Sequence, residues 1–286
     1  MAPAALPPTT INPAEPMIPP IGRTSVTDET ASDVAASHDD RSYPDLAGRR
    51  VVVTGGASGI GQATAARFVR EGCRVVVLDR DAARFAALRA EVAGLAGTVA
   101  ADISDPEAVR RAFREVDRLM DGLDILIANA GISFRTPFDE ISDEQWSAVI
   151  GTNLTGTFLT AREAVARMKV QGSGVILFTA STNGLAGHPF YADYNATKAG
   201  VLLLMRTIAR EFAPAIRANA VNPGYVLTPM QRREYTDEML EAVNASIPLR
   251  RHARPDEVAA LFAFLASDQA AYFTGASLNI DGGETA

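Results

Sequence analysis

The sequence predicts an α/β fold: a single domain built on a doubly wound parallel sheet of about seven strands, with helices on both faces. Two observations support this prediction. Short apolar runs alternate with amphipathic helical segments through most of the 286 residues, which is the pattern of repeated βαβ units. The first apolar run also leads into a glycine-rich turn and a helix, which is typical of a ligand-binding unit in such a sheet.

Residues 50–70, RVVVTGGASGIGQATAARFVR, form this first unit. Its valines predict a strand buried on both faces, and a helix is expected to begin at about Ile60. The three glycines have different expected roles. Gly55 allows a tight turn, Gly59 lets the backbone approach a ligand closely, and Gly61 lets the helix pack closely on the strand. Because the free N–H groups of a helix start attract anions, the unit predicts a dinucleotide site. The glycine spacing alone is weak evidence, since a turn without a ligand shows the same pattern.

The second apolar run, 74–78, ends in Asp79. A carboxylate at this point accepts hydrogen bonds from the adenosine 2′-OH and repels a 2′-phosphate. The sequence therefore favours NAD over NADP. Arg80 follows directly and is expected to soften that repulsion.

Helices and strands continue to alternate after Asp79. Helices are expected over 81–92, over 106–120 with Ser104 or Asp105 as cap, over an interrupted stretch from Ser142 to Gly172, and over 192–213. Strands are expected over 98–101, 123–128, 175–179 and 217–221. Ligands of such sheets bind beyond the carboxyl ends of the strands, so the segments that follow the strands are the candidates for a site.

Composition restricts the classes of function. The net charge of −7 argues against nucleic acid or an anionic membrane surface as a partner. A single cysteine, Cys73, excludes an intramolecular disulfide and a zinc–cysteine cluster, and no metal site is predicted. No run approaches eighteen apolar residues, so no membrane span is expected. These features predict a cytoplasmic protein that acts on a small-molecule substrate.

Residues 1–43 differ in composition from the rest of the chain. Prolines crowd the first twenty positions and polar residues fill most of the remainder. This stretch is expected to be a disordered N-terminal arm. It has neither the basic start and apolar block of a secretory signal nor the Arg-rich composition of a transit peptide. Residues 44–286 are expected to form the folded domain.

Tyr194 and Lys198 are four residues apart at the start of a predicted helix, so they share one face. Ser181 ends the strand thirteen residues before the tyrosine. A free tyrosine has a pKa of about 10, which a nearby ammonium lowers. Tyr194 could then exchange a proton with an alcohol or carbonyl oxygen that Ser181 hydrogen-bonds. By itself the Tyr-x-x-x-Lys spacing also fits two neighbouring side chains on the exposed face of a helix. The glycine turn upstream favours acid–base chemistry.

Together these motifs resemble the short-chain dehydrogenase/reductase family, from roughly residue 45 to the C-terminus. The matching segments are 54–61 (TGGASGIG), Asn129-Ala130-Gly131, Asn153, Ser181, 194–198 (YNATK), Pro223-Gly224 and Thr228. One departure is Ala128, where an asparagine often precedes the Asn-Ala-Gly. The C-terminal segment FTGASLNIDGG resembles the last strand and glycine turn of the family.

The resemblance implies a Rossmann fold and a catalytic tetrad of Asn153, Ser181, Tyr194 and Lys198. In this tetrad Tyr194 is the acid–base and Ser181 orients the substrate oxygen. Lys198 lowers the tyrosine pKa and holds the nicotinamide ribose, and Asn153 positions a water. The motifs and the resemblance together give a set of cofactor contacts: Gly55, Ser58, Gly59, Ile60, Gly61, Asp79, Asp102, Ile103, Asn129, Ala130, Gly131, Tyr194, Lys198, Pro223, Gly224, Val226 and Thr228. Relatives usually assemble as tetramers, which implies a homotetramer.

Three residues of the loop after Ser181 are candidate substrate contacts: Asn183, His188 and Tyr191. Tyr191 is expected to line the substrate pocket, while Asn183 and His188 could instead serve only to pack the loop. Residues 226–250 resemble the mobile substrate lid of the family.

These features predict an oxidoreductase that transfers a hydride between NAD(H) and a secondary alcohol or its ketone. Polar loop residues without a basic docking patch favour a polyol or sugar alcohol. Alternatives within the class are a 3-oxoacyl-thioester reductase, which would ordinarily prefer NADP, and a dehydrogenase of steroids or other hydrophobic alcohols. A non-catalytic dinucleotide sensor is a remote alternative, because Ser181, Tyr194 and Lys198 are all present.

Overall fold

The computed structural model describes residues 43–286. The disordered arm predicted for residues 1–43 lies outside the described residues, except for Tyr43. This side chain is buried, and its backbone N–H donates a hydrogen bond to Glu71 Oε2 at 2.7 Å. Arg67, which donates to Glu71 Oε1 at 2.7 Å, places its guanidinium over the Tyr43 ring. The packed domain therefore includes Tyr43, one residue before the boundary expected from composition.

In the described part of the chain, seven parallel strands form one sheet in the order β3-β2-β1-β4-β5-β6-β7. They are β1 (Arg50–Thr54), β2 (Arg74–Asp79), β3 (Gly97–Ala100), β4 (Ile125–Ala128), β5 (Gly174–Thr179), β6 (Ile216–Pro223) and β7 (Ser277–Ile280). The predicted doubly wound sheet is confirmed, because the chain winds outward from β1 in one direction and then in the other. The strand order reverses between β1 and β4, and such a reversal creates the crevice in which these sheets bind ligands.

Helices cover both faces of the sheet. They are α1 (Gly59–Arg70), α2 (Phe85–Glu91), α3 (Pro106–Met120), α4 (Asp143–Ile150), α5 (Thr157–Gln171), α6 (Asn183–Ala186), α7 (Ala192–Phe212), α8 (Pro229–Glu234), α9 (Asp237–Ser246) and α10 (Pro255–Ala266). Val52 packs in one core with residues of α3, α5 and α7, whereas Val51 and Val53 pack in a second core with residues of α1 and α10. Alternate residues of β1 thus enter two cores, which explains its uninterrupted apolar sequence. None of the helices within residues 43–286 is long and apolar enough to cross a membrane.

The helical stretch expected from Ser142 to Gly172 is divided by a wider turn. Ser142 caps α4, and Gly172, with a φ of +81°, ends α5. Between these helices, Gly151–Gly156 forms a π-helical turn. Asn153 in this turn is fully buried and forms two hydrogen bonds of 2.8 Å with the backbone of Ile132. Wide turns of this kind are frequent at functional sites.

Gly61→Ala tests how closely α1 must approach the end of β1. A Cβ at residue 61 would overlap the Gly55 carbonyl oxygen and lie 2.6 Å from Asn129 Nδ2. Overpacking costs about 1–3 kcal/mol, so we expect the free energy of unfolding, measured by urea denaturation, to fall by this amount. Gly151→Ala is the control, because its Cβ would meet only Ser104 Cβ, at 3.7 Å. Equal destabilisation by both substitutions would contradict this account.

Candidate active site

The turn between β1 and α1 requires glycine at two positions. Gly55 and Gly59 have φ values of +63° and +55°, in the left-handed region that favours glycine. A Cβ on Gly55 would also lie 2.7 Å from Ala130 Cα, so the turn packs directly on the segment after β4. In front of Gly59, an added Cβ would meet nothing nearer than Thr228, at 3.4 Å. The turn therefore presents bare backbone at the N-terminus of α1.

A cleft with a volume of about 330 Å³ lies over this turn. Most of the residues predicted to contact a cofactor line it: Gly55, Ser58, Gly59, Ile60, Asp79, Asp102, Ile103, Asn129, Ala130, Gly131, Tyr194, Lys198 and Thr228. Four predicted residues do not line the cleft. Gly61 is used in the packing of α1, Val226 is buried and pairs with Ala253, and Pro223 is buried at the end of β6. Gly224 lines a neighbouring compartment instead.

Asp79, the last residue of β2, lies along the cleft together with Arg80. Its carboxylate accepts one backbone N–H at each oxygen, from Ala57 at Oδ2 and from Asp81 at Oδ1, both at 3.0 Å. The bond from Asp81 holds the chain in a turn after β2. The helix predicted over 81–92 consequently starts later, because a 3₁₀ turn over Ala82–Arg84 precedes α2.

Asn129 connects the carboxyl ends of three strands. Its Nδ2 donates to the carbonyl oxygens of Thr54 at 3.1 Å and Gly55 at 3.3 Å, and its Oδ1 accepts from Thr179 Oγ1 at 3.0 Å. Thr54 Oγ1 accepts the backbone N–H groups of Asn129 at 3.0 Å and Ala130 at 3.1 Å. These bonds join β1, β4 and β5 at the edge of the sheet where the cleft opens.

Tyr194 and Lys198 extend from the start of α7 into the cleft. Lys198 is buried and donates a hydrogen bond of 2.6 Å to the Thr179 carbonyl, and its Nζ lies 5.4 Å from the centroid of the Tyr194 ring. Burial lowers the pKa of Lys198 to about 8. Burial also raises the pKa of Tyr194 to about 12, a rise that hydrogen bonding by Ser181 opposes and the charge of Glu234 reinforces.

The lowering of the Tyr194 pKa by Lys198, expected from the resemblance, stays a prediction. The ammonium lies near the ring rather than in a hydrogen bond with the hydroxyl, and one of its donors is used by the Thr179 carbonyl. Burial penalises the phenolate, which is the charged form of the tyrosine. The hydrogen bond of Ser181 is the interaction that lowers the pKa of Tyr194 against this effect of burial.

Asn153 does not line the cleft. Besides its bonds to Ile132, its Nδ2 donates to Thr197 Oγ1 at 3.3 Å. Asn153 thereby connects the segment after Gly131 to α7, one residue before Lys198. A role in positioning water stays a prediction.

A second compartment, of about 80 Å³, adjoins the cleft, and Tyr194 lines both. Ser181 and the three predicted substrate residues, Asn183, His188 and Tyr191, line this smaller compartment. The Asn183 side chain is partly engaged within its own loop, because its Nδ2 donates to Asn195 Oδ1 at 2.8 Å. The compartment is therefore the place where a substrate would meet Ser181 and Tyr194.

Two carboxylates that the sequence analysis missed also line this compartment. Glu234 at the end of α8 accepts hydrogen bonds from Tyr191 OH, at 2.8 Å, and from Ser133 Oγ. Glu284, the third residue from the C-terminus, approaches His188, with 3.5 Å between Oε1 and Nε2. Neither belongs to a motif. The only signals in the sequence were the position of Glu234 in the expected lid and that of Glu284 after a glycine pair.

Comparison with known proteins agrees with this geometry. A family model described as "Enoyl-(Acyl carrier protein) reductase" matches residues 55–285. A 3beta-hydroxysteroid dehydrogenase 1 of Eggerthella lenta is 42% identical over 251 residues, covering 85% of this chain and 96% of its own length. A glucose 1-dehydrogenase of Gluconobacter oxydans is 36% identical over 247 residues, covering 84% and 93%. The crystal structure of a 3-ketoacyl-(acyl-carrier-protein) reductase from Brucella melitensis, complexed with NADH, has a TM-score of 0.79 and 35% identity, covering 84% of this chain and 100% of that one.

The chain belongs to the short-chain dehydrogenase/reductase family. Its parallel sheet flanked by helices is the Rossmann-like architecture of that family. Short-chain dehydrogenases/reductases are oxidoreductases that act on CH–OH groups, and this chain is an enzyme of that class. These relatives are named for different substrates. Membership of the family therefore determines the class of reaction and leaves the substrate open.

Proposed function

We propose that this short-chain dehydrogenase/reductase transfers a hydride between NAD(H) and a secondary alcohol or its ketone, with Tyr194 as the acid–base. The observation that carries the proposal is the position of Tyr194 between two spaces. One is the cleft over the glycine turn, and the other is the small polar compartment that contains Ser181. A cofactor in the cleft and an alcohol in the compartment would meet at this phenol.

The cleft fits a dinucleotide. The open backbone at Gly59 and the N-terminus of α1 suit a pyrophosphate, and the carboxylate of Asp79 suits the hydroxyls of the adenosine ribose. Lys198 Nζ, held by the Thr179 carbonyl, retains donors for a second ribose. When bound, the cofactor accepts or donates the hydride. Asp79 supports NAD as the preferred form.

Proton transfer is assigned to the residues around Tyr194. In the oxidising direction the Tyr194 oxygen takes the hydroxyl proton of the alcohol, while Ser181 hydrogen-bonds the same substrate oxygen. In the reducing direction the phenol returns that proton to the carbonyl oxygen. Lys198 adds positive charge beside the ring, and Asn153 holds the helix that carries both residues.

A small polyol or sugar alcohol is the proposed substrate. The compartment beside Tyr194 measures about 80 Å³ and is lined by hydroxyl, amide and carboxyl groups. Sites for drug-sized apolar ligands are usually several times larger and mostly apolar, so the geometry favours a small polar alcohol over a steroid. The size also weighs against an acyl thioester. A preference for NAD would not distinguish a polyol dehydrogenase from a 3-oxoacyl-thioester reductase, because the Brucella reductase was solved with NADH.

The lid expected over residues 226–250 contains α8 and α9. We propose that α8 covers the substrate, because Met230, Gln231 and Glu234 of this helix all line the compartment. The bonds of Glu234 to Tyr191 and Ser133 hold the helix in this position.

A homo-oligomer, with a tetramer favoured, is also proposed. Trp146 of α4, Phe158 of α5 and Leu203 of α7 leave 44%, 43% and 62% of their surface exposed. Aromatic and other apolar side chains exposed on adjacent helices are common at subunit interfaces, which supports this assembly.

The function is tested by incubating the purified enzyme with NAD and a panel of polyols, sugars, hydroxyacyl thioesters and steroid alcohols. We expect NADH, followed by its absorbance, to form with small polyols. Tyr194→Phe should lower kcat/KM by about 10²- to 10⁴-fold, the usual contribution of acid–base catalysis. NADH binding, measured by fluorescence, should persist. Tyr272→Phe is the control, because Tyr272 is fully exposed. Undiminished turnover in Tyr194→Phe, or activity confined to thioesters or steroids, would refute the corresponding part of the proposal.

Asp79→Ser tests the cofactor preference. Loss of the carboxylate should lower kcat/KM for NAD about tenfold to 100-fold, the factor for a hydrogen bond to a charged group, and should raise kcat/KM for NADP. Because Arg80 lines the same cleft, Asp79→Ser combined with Arg80→Ala should lose the gain with NADP. Asp79 has no part in selecting the cofactor if the NAD-to-NADP ratio of steady-state kcat/KM stays constant.

The pH profile tests the state of Tyr194. A base with a pKa of about 12 is mostly protonated at neutral pH. Its active form therefore increases about tenfold per pH unit, and log kcat/KM for alcohol oxidation should rise with a slope of about one between about pH 7 and 10. Ketone reduction uses the protonated phenol and should stay level over that range. A plateau in oxidation that begins below about pH 8 would contradict this high pKa and support the lowering expected from Lys198.

A further inference from the structure

Glu284 and His188 face each other in the small compartment with polar atoms that lack partners. Within residues 43–286, Glu284 Oε2 and His188 Nε2 are buried and have no hydrogen-bond partner. Only 3.5 Å separates Glu284 Oε1 from His188 Nε2. Buried polar atoms are almost always hydrogen-bonded in folded proteins. The pair is therefore suited to a ligand that supplies the missing bonds.

The C-terminal turn fixes Glu284 in this position. Asp281 Oδ1 accepts the Gly283 N–H at 3.0 Å, and Asp281 Oδ2 accepts the Thr285 hydroxyl at 2.6 Å. Gly224 provides the necessary space, since a Cβ there would lie 2.5 Å from Glu284 Oε2. The space needed by the Glu284 carboxylate thus explains why residue 224 is a glycine, in addition to the cofactor contact predicted for it.

The protonation states of the pair suit a hydroxyl group. Burial and then the charge of Asp281 raise the pKa of Glu284 to about 6, and the nearby Thr182 side chain opposes that rise. Burial lowers the pKa of His188, so the imidazole stays neutral to a lower pH than a free histidine does. A carboxylate only accepts hydrogen bonds, whereas a neutral imidazole nitrogen donates or accepts according to its tautomer. A hydroxyl donates and accepts at once and therefore satisfies both groups.

We propose that Glu284 and His188 bind a second hydroxyl of the substrate while Tyr194 and Ser181 bind the reacting one. All four side chains line the same compartment of about 80 Å³, so one small molecule can reach both pairs. This inference rests on the proposed alcohol dehydrogenase activity, and it makes the substrate a small diol or polyol rather than a mono-alcohol.

Glu234 is the other carboxylate of the compartment and has a different role. Its oxygens already accept hydrogen bonds from Tyr191 and Ser133. Glu284 Oε2 has no such bond among the described residues, so it is the oxygen available to a substrate hydroxyl.

Three four-carbon alcohols test the proposal, because each contains the same kind of secondary alcohol. 2-Butanol has no second hydroxyl, 2,3-butanediol has one on the neighbouring carbon, and 1,3-butanediol has one a carbon further away. We expect the better diol to exceed 2-butanol about tenfold to 100-fold in kcat/KM for NAD reduction. Equal kcat/KM values would overturn this inference and leave the proposed function intact. If the enzyme oxidises none of the polyols and alcohols, both this inference and the proposed function are overturned.

Two variants test whether Glu284 and His188 cause the preference for a diol. Glu284→Gln keeps the shape of the side chain and removes its charge, and His188→Ala removes the facing imidazole. In each, the diol-to-2-butanol ratio of kcat/KM should fall about tenfold, mainly through KM for the diol. Glu211→Gln, at an exposed position near the end of α7, is the control and should keep the ratio of the unchanged enzyme.

Two results would overturn the assignment. A merely structural role for Glu284 would lower kcat/KM for the diol and for 2-butanol equally and leave their ratio unchanged. A preference for 3-amino-2-butanol over 2,3-butanediol would indicate an ammonium site in place of a hydroxyl site.

Discussion

The hydrogen bonds of the Asn129 side chain hold the carboxyl ends of β1, β4 and β5 together, and the geometry of the cleft depends on them. One side of the amide fixes the carbonyls that lead into the glycine turn. The other side accepts the Thr179 hydroxyl, and the Thr179 carbonyl in turn accepts Lys198 Nζ. Two residues thus connect the turn that suits a pyrophosphate to the lysine beside the proposed acid–base, across three strands of a rigid sheet.

Within this framework, burial determines the chemistry of the site. Enclosing Tyr194 and Lys198 favours the neutral form of each, so the phenol keeps its proton and the ammonium loses its own more readily. The neutral phenol is the form that donates a proton to a ketone. Ser181 is the neighbour that stabilises the phenolate, and it also lies where the substrate oxygen would bind. The serine therefore couples the position of the substrate to the ionisation of the base.

The fold and the cofactor side could be predicted because their signals are contiguous in the sequence. The valine strand, the glycine turn and Asp79 follow each other within thirty residues, and the structure places the turn and Asp79 along one cleft. The details of the helices were harder to predict where a side-chain hydrogen bond redirects the backbone. The π-helical turn around Asn153 follows from its bonds to Ile132, and the delayed start of α2 follows a turn held by Asp79. Spacing on a helix gives neither burial nor orientation, so the sequence did not indicate the burial of Tyr194 or the bond of Lys198 Nζ to the Thr179 carbonyl.

The substrate side was the least predictable because separate segments build it. The loop after β5 contributes five polar side chains to a single small compartment, helix α8 contributes two, and the C-terminal turn contributes Glu284. Replacing Glu234, Glu284 or His188 would alter that compartment without touching the turn, Asp79 or Lys198. Overall identity to these relatives consequently does not indicate the substrate of this chain. A steroid dehydrogenase at 42% identity and a glucose dehydrogenase at 36% share the scaffold with this chain to a similar degree. The local chemistry of two half-buried carboxylates and an imidazole, rather than the degree of identity to any relative, favours a polyhydroxylated substrate here.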